Sequence, residues 1–207
     1  MNIRLFALER WMPRGVHRRM LGELASLTAE AFGTNPPALA GLGRTAAIDQ
    51  FASFTRTVVE HLLATAPATT VAATAARLYE RAREMGRAAR RDLRITTRAD
   101  ALRAARVLYR AIDIRLDVNS DTGVITVHRC AFSGAYTPDV CAFVSALDSG
   151  FFCGLTGDSG LVFSQRITEG AACCRATLVS TAGAERNRPK GSGGAGTQPA
   201  PPGRGRR

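Results

Sequence analysis

The sequence predicts an α+β domain in which an N-terminal helical layer is followed by a β-β-α-β-β unit with a four-stranded antiparallel sheet. Three observations carry this. Apolar residues recur at helical spacing through about the first 111 residues. The period switches to alternation from Ile112 onward. A second alternating pair, divided at Glu169-Gly170, follows one further helical stretch.

The first helix is read from Val16, Met20, Leu24 and Leu27, with Gly33 as its stop. "GTNPPALAGLG" is a loop. Ile48, Phe51, Val58 and Leu62 fall on or near one face of a second helix, and "TVAATAARLYERAREMGRAARRDL" forms a third. Leu102, Ala105, Leu108 and Ile112 mark a fourth. Ile112, Ile114, Leu116 and Val118 then alternate with polar residues. "NSDTG" turns the chain, and Val124 to Cys130 returns as the second strand of a hairpin. A helix is expected from about Asp139 to Leu147, started near Thr137-Pro138 and broken near Gly150. "GDSG" at 157–160 is expected as a turn, and "LVFSQRITEG" with "ACCRATLVS" as a second hairpin. In its last strand alternation puts Cys174, Ala176 and Leu178 on the buried face and Cys173 with Arg175 on the other.

One α+β domain over 1–180 accounts for this pattern, with its helical part about 1–111 and its sheet part about 112–180. Residues 181–207 are Gly/Pro/Arg-rich and are expected to be a disordered basic tail, because they lack apolar content to offset ordering entropy. No apolar run reaches membrane-spanning length, and "MNIRLFALERWMPRG" carries charges where a secretory signal needs an apolar stretch. Five cysteines without an export signal point to reduced thiols in a cytoplasm. The net charge of +11 does not imply nucleic acid. All basic residues but Lys190 are Arg, the bias of a GC-rich genome, and six of them with one acid lie in the tail. The expected partners are a small-molecule substrate or ligand and a second copy of the chain, with no specific nucleic acid and no membrane.

The chemistry-bearing residues cluster late. "GDSG" resembles the surroundings of a peptidase serine, but a helical N-terminal half is incompatible with that fold. His17, His61 and His128 have no metal spacing. His128 and Cys130 are two apart on a strand, which would put them on one face as a base and thiol. Cys130, Cys141 and Cys174 lie on strand, helix and strand that should adjoin. They could converge on Zn²⁺, or pack as small hydrophobes. Asp148 and Glu169 flank the same segment as carboxylates, or serve as cap and turn.

From His128 onward the order Cys130-Ala131-Phe132, Tyr136, Cys141, Asp148, Phe151-Phe152, Gly154-Leu155, Glu169-Gly170 and Cys174 resembles the L-2-amino-thiazoline-4-carboxylic acid hydrolase family. Ala131, Ala171 and Ala176 stand where that family's pattern has Pro, Asp and an aromatic residue. The resemblance implies hydrolytic opening of a C–N or C–S bond in a small cyclic amidine, giving a carbamoyl-cysteine. Such a site needs a cation for the substrate carboxylate, for which Arg129 and Arg166 are candidates. It needs a carboxylate facing the amidinium, Asp148 or Glu169. It also needs a water or thiolate to attack the ring carbon, with Cys130, Cys141 or Cys174 acting directly or holding a metal. The closing stretch is also similar to 4-vinyl-reductase-type ligand-binding domains, which implies a non-catalytic small-ligand module with structural cysteines. The zinc pattern of that group, Glu-x-x-Cys-x₇-Cys, would end at Cys174, but its other positions fall on Phe163 and Arg166, so zinc is not supported from this pattern.

Overall fold

The structure, a computed structural model, describes residues 2–180. The stretch read as a disordered tail, 181–207, lies outside the described residues. The order is α1 (Ile3–Arg10), α2 (Arg14–Phe32), α3 (Arg44–Thr65), α4 (Ala68–Asp92), α5 (Arg98–Ala111), β1 (Ile114–Val118), β2 (Val124–Cys130), α6 (Pro138–Thr156), β3 (Ser159–Gln165), a single 3₁₀ turn (Ile167–Glu169) and β4 (Cys174–Ser180). The α+β class is as the periodicity predicts. The four strands form one antiparallel sheet in the order β1-β2-β4-β3. α6 lies against the sheet, and α4 packs against α6.

Local chemistry explains the element ends. Thr97 and Thr137 cap α5 and α6 by accepting from the backbone N–H of Asp100 and Val140, and Pro138 opens α6, where a missing N–H is harmless. Gly33 and Gly157 close α2 and α6 with φ of 67° and 104°, in the left-handed region that glycine enters without a Cβ clash. In the first hairpin Asn119 Oδ1 accepts from the N–H groups of Asp121 and Thr122. The core joins the helical layer to the sheet through Leu24, Phe51, Leu78, Phe151, Phe152 and Ile125, all nearly or fully buried. Each such side chain contributes roughly 1.5–3 kcal/mol.

Four expectations need correction. Residues 3–10, read only for the absence of a signal, form a helix whose first turn is capped by Asn2 accepting from Leu5 N–H. α6 does not break near Gly150; it runs on to Thr156. There Gly150 and Gly154 let α4 approach so closely that a Cβ on either would overlap the carbonyl oxygen of Tyr79 or Arg83, and Gly86 of α4 meets the Phe151 carbonyl in the same way. The buried stripe of α4, Thr74, Leu78, Ala82 and Gly86, recurs every four residues and presents mostly small groups to this crossing. Ser159 is not in a turn but opens β3, buried, with its hydroxyl donating to Asp158.

The fourth correction concerns His128. Ile114 faces Cys130 and Arg115 faces Arg129, yet Leu116 faces Val127. His128 is therefore an extra residue in β2, a β-bulge, and the two-residue face rule fails across it. Val127 and Cys130 turn inward, while His128 and Arg129 are exposed.

α6 is the one helix among the described residues long and apolar enough to cross a bilayer. Its composition follows from packing on two sides: Phe151, Phe152, Cys153 and Leu155 are at most 2 % exposed between α4 and the sheet.

Candidate functional site

On α6, Cys141, Ser145 and Asp148 are four and three residues apart, two helical turns on one side. β2 ends at Cys130, and the turn after it brings in Phe132, Ser133 and Tyr136. β4 begins at Cys174, and the 3₁₀ turn supplies Ile167 and Thr168. These residues apart from Ser145, with Leu24 of α2 and Phe51 of α3, enclose a cavity of about 70 Å³. That is room for several waters or the reactive part of a compact ligand. Four of the five expected catalytic residues, Cys130, Cys141, Asp148 and Cys174, thus line one space.

Asp148 lies deep in the protein but faces the cavity. Tyr109 of α5, a residue the sequence reading did not single out, donates its hydroxyl to Asp148 Oδ1 at 2.7 Å. Burial pushes the Asp148 carboxyl up from 3.8 to about 6. The Tyr109 bond and the Arg166 charge hold it down only in part. Burial also raises the thiols. Cys130 reaches about 12, opposed by the backbone N–H of Phe132 and pushed further by the Asp148 charge. Cys141 and Cys174 are raised mainly by burial as well, and Ile167 N–H donates to Cys174 Sγ at 3.3 Å. At neutral pH the cavity therefore holds one titrating carboxyl and three neutral thiols. The buried Thr168 hydroxyl lies beside the Cys141 thiol and offsets part of the rise that burial imposes on it.

The aromatic walls are ordered. Phe132 and Tyr136 stack with centroids 5.6 Å apart, and Phe51 meets Phe132 edge-on at 5.8 Å. Arg166 stands beside this chamber with a largely buried side chain. It pairs with Glu169 at 3.1 Å, reaches Ser145 Oγ at 3.4 Å and lies over the Phe163 ring at 5.0 Å.

Three expected site residues are not brought here. Glu169 is half exposed on the far side of Arg166 and does not line the cavity. Arg129 pairs with Asp113 at 2.7 Å on the exposed sheet face, and His128 pairs there with Asp117 at 3.1 Å. The bulge that turns them outward also rules out the His128–Cys130 pair. Zinc does not fit either: among the described residues no group of three or more His, Cys, Asp or Glu is close enough to hold a metal ion.

No protein-family model matches the chain, and no curated protein matches it.

The strand register yields a direct prediction. Cys174 is 8 % exposed and shares its inward face with Ala176 and Leu178, whereas Cys173 lies just outside β4 with Gln165 Nε2 donating to it. Cys174→Ser should cost about 1–3 kcal/mol, and Cys173→Ser under about 0.5 kcal/mol. Alkylation of the native protein, mapped by mass spectrometry, should modify Cys173 first and spare Cys174. Rapid labelling of Cys174 would contradict its burial.

Proposed function

We propose that the chain is a hydrolase of the 2-aminothiazoline-4-carboxylate type, opening a small cyclic amidine to a carbamoyl-cysteine. The observation that carries this reading is Asp148, a carboxyl inside an aromatic-walled cavity that titrates near pH 6. A general base works best when its pKa lies near the working pH, and the three neutral thiols are poor nucleophiles by comparison. Water is therefore the attacking group. Asp148 accepts a proton from water as its oxygen bonds to the amidine carbon. When the ring C–N or C–S bond breaks, the same carboxyl returns that proton to the departing atom; the second water proton leaves to solvent, which balances the positive charge of the amidinium, and the water oxygen becomes the carbamoyl oxygen. Arg166, whose charge already acts on Asp148, Cys141 and Cys174, takes the substrate carboxylate. The thiols pack as small polarizable groups around the ring. Five free cysteines suit a reducing, cytoplasmic setting.

The raised thiols also favour a second reading, a non-catalytic small-ligand module in which the cysteines serve packing alone. Incubation with 2-aminothiazoline-4-carboxylate, followed by mass spectrometry for carbamoyl-cysteine, separates the two. Product formation supports the hydrolase. Calorimetric binding without product supports the module. Neither binding nor product would remove the aminothiazoline from consideration.

A further inference from the structure

The first helix presents an unusual surface. Leu5 is fully buried and holds α1 to the body, while Ile3 is 76 %, Phe6 43 % and Trp11 73 % exposed. The helix is not frayed. Asn2 Nδ2 donates to the Leu93 carbonyl at 2.8 Å, and Arg110 donates to the carbonyls of Leu8 and Glu9 at 2.9 and 3.0 Å. Three large apolar side chains are therefore held in water on a rigid support.

Arginines frame this face at both ends. Arg4 and Arg94 stand near its start, and Arg106, Arg110 and Arg115 line an open cleft beside its end. The neighbouring acids are already matched: Glu9 by Arg103 at 2.7 Å, Asp92 by Arg19 at 3.5 Å, and Asp113 by Arg129 at 2.7 Å. Arginines therefore outnumber acids around the apolar patch. Exposed Trp, Phe and Ile beside an excess of arginines over acids match the boundary of an anionic bilayer, where apolar groups enter the acyl edge and arginines meet phosphates.

We propose that the exposed face of α1 seats the protein on the surface of an anionic lipid bilayer, with Ile3, Phe6 and Trp11 inserted and the flanking arginines on the headgroups. This attachment lies in the interface and crosses nothing. It departs from the sequence-based expectation of no membrane partner, which weighed spanning segments only. It is independent of the chemistry in the cavity.

Trp11 is the sole tryptophan, so its emission reports this face alone. The full chain is mixed with vesicles of phosphatidylcholine, or of phosphatidylcholine with phosphatidylglycerol, and followed by Trp fluorescence and co-sedimentation. With anionic vesicles only, emission should shift to the blue, brominated lipid should quench it, and binding should weaken with added salt. Ile3→Ser with Phe6→Ser should abolish the shift, and both sites are exposed enough to leave the melting temperature unchanged. Arg106→Gln with Arg115→Gln should weaken binding on the order of twentyfold, since an arginine near such a surface is worth roughly fivefold. Co-sedimentation without a blue shift would assign binding to the basic residues of 181–207 and overturn the proposal. A blue shift that grows with protein concentration in the absence of vesicles would assign the face to a second copy. A shift on adding nucleic acid but not vesicles would overturn it too. Should the double serine variant fail to fold, quenching by brominated lipid in the unaltered chain still decides.

Discussion

Asp148→Asn is expected to lower turnover of 2-aminothiazoline-4-carboxylate by about 10²–10⁴-fold, the range for loss of a positioned base. The same change should stabilise the protein at neutral pH. The folded carboxyl titrates near 6 against an ordinary value of 3.8. Folding therefore tightens its hold on the proton. Its favourable contribution is complete below about pH 4 and is lost as pH rises through 6, because the buried group must then ionise. The interval corresponds to roughly 3 kcal/mol. Asparagine keeps an oxygen to accept from Tyr109 and has no charge to bury. The stability gap between Asp148→Asn and the parent chain should thus be small at pH 4 and widen toward pH 7, read from denaturant unfolding at each pH. Activity within a few-fold of the parent would exclude Asp148 as the base. A gap independent of pH would contradict its burial, whatever the activity.

Gly154→Ala is expected to cost about 3 kcal/mol or more, because the added methyl would overlap the Arg83 carbonyl oxygen and lie 2.8 Å from the Arg87 backbone nitrogen. Neither is the end of a flexible side chain, so α4 and α6 must separate along the crossing that also holds Gly86 and Gly150. α6 carries Cys141 and Asp148, so a shift there reaches the cavity. Gly22→Ala in α2 is the matched control. Nothing lies within 4 Å of its Cβ position, and it should gain about 0.5–1 kcal/mol from helix propensity. Thermal unfolding of the two variants should move in opposite directions. A stable Gly154→Ala protein would mean the two helices are farther apart than described.

Much of the architecture can be read without coordinates, because hydrophobic period is a local property. The switch at Ile112 from helical spacing to alternation locates the boundary between helical layer and sheet. Alternation within β4 is enough to turn Cys174 inward and Cys173 away. Cys141 and Asp148 come to share one side of α6 only because the helix runs past its expected end at Leu147 to Thr156. Other decisions depend on partners distant in sequence. Nothing near Asp148 announces that Tyr109, 39 residues earlier, donates to it, and without that burial its carboxyl would be an ordinary surface acid. Gly150 reads as a helix break when only propensity is weighed; the close approach of α4 makes it a contact residue instead. A β-bulge is a property of two strands together, so only β1 laid beside β2 shows that His128 and Arg129 face away from the site. Glu169 pairs with Arg166, three residues before it, and lies outside the cavity lining, which its position in the sequence does not reveal. The sequence by itself determined the order of the helices from α2 onward, the order of the strands and the inward face of β4, since those follow from short-range periodicity. Only the tertiary structure decided which chemical groups share a low-dielectric space, since that depends on which faces of which elements pack together.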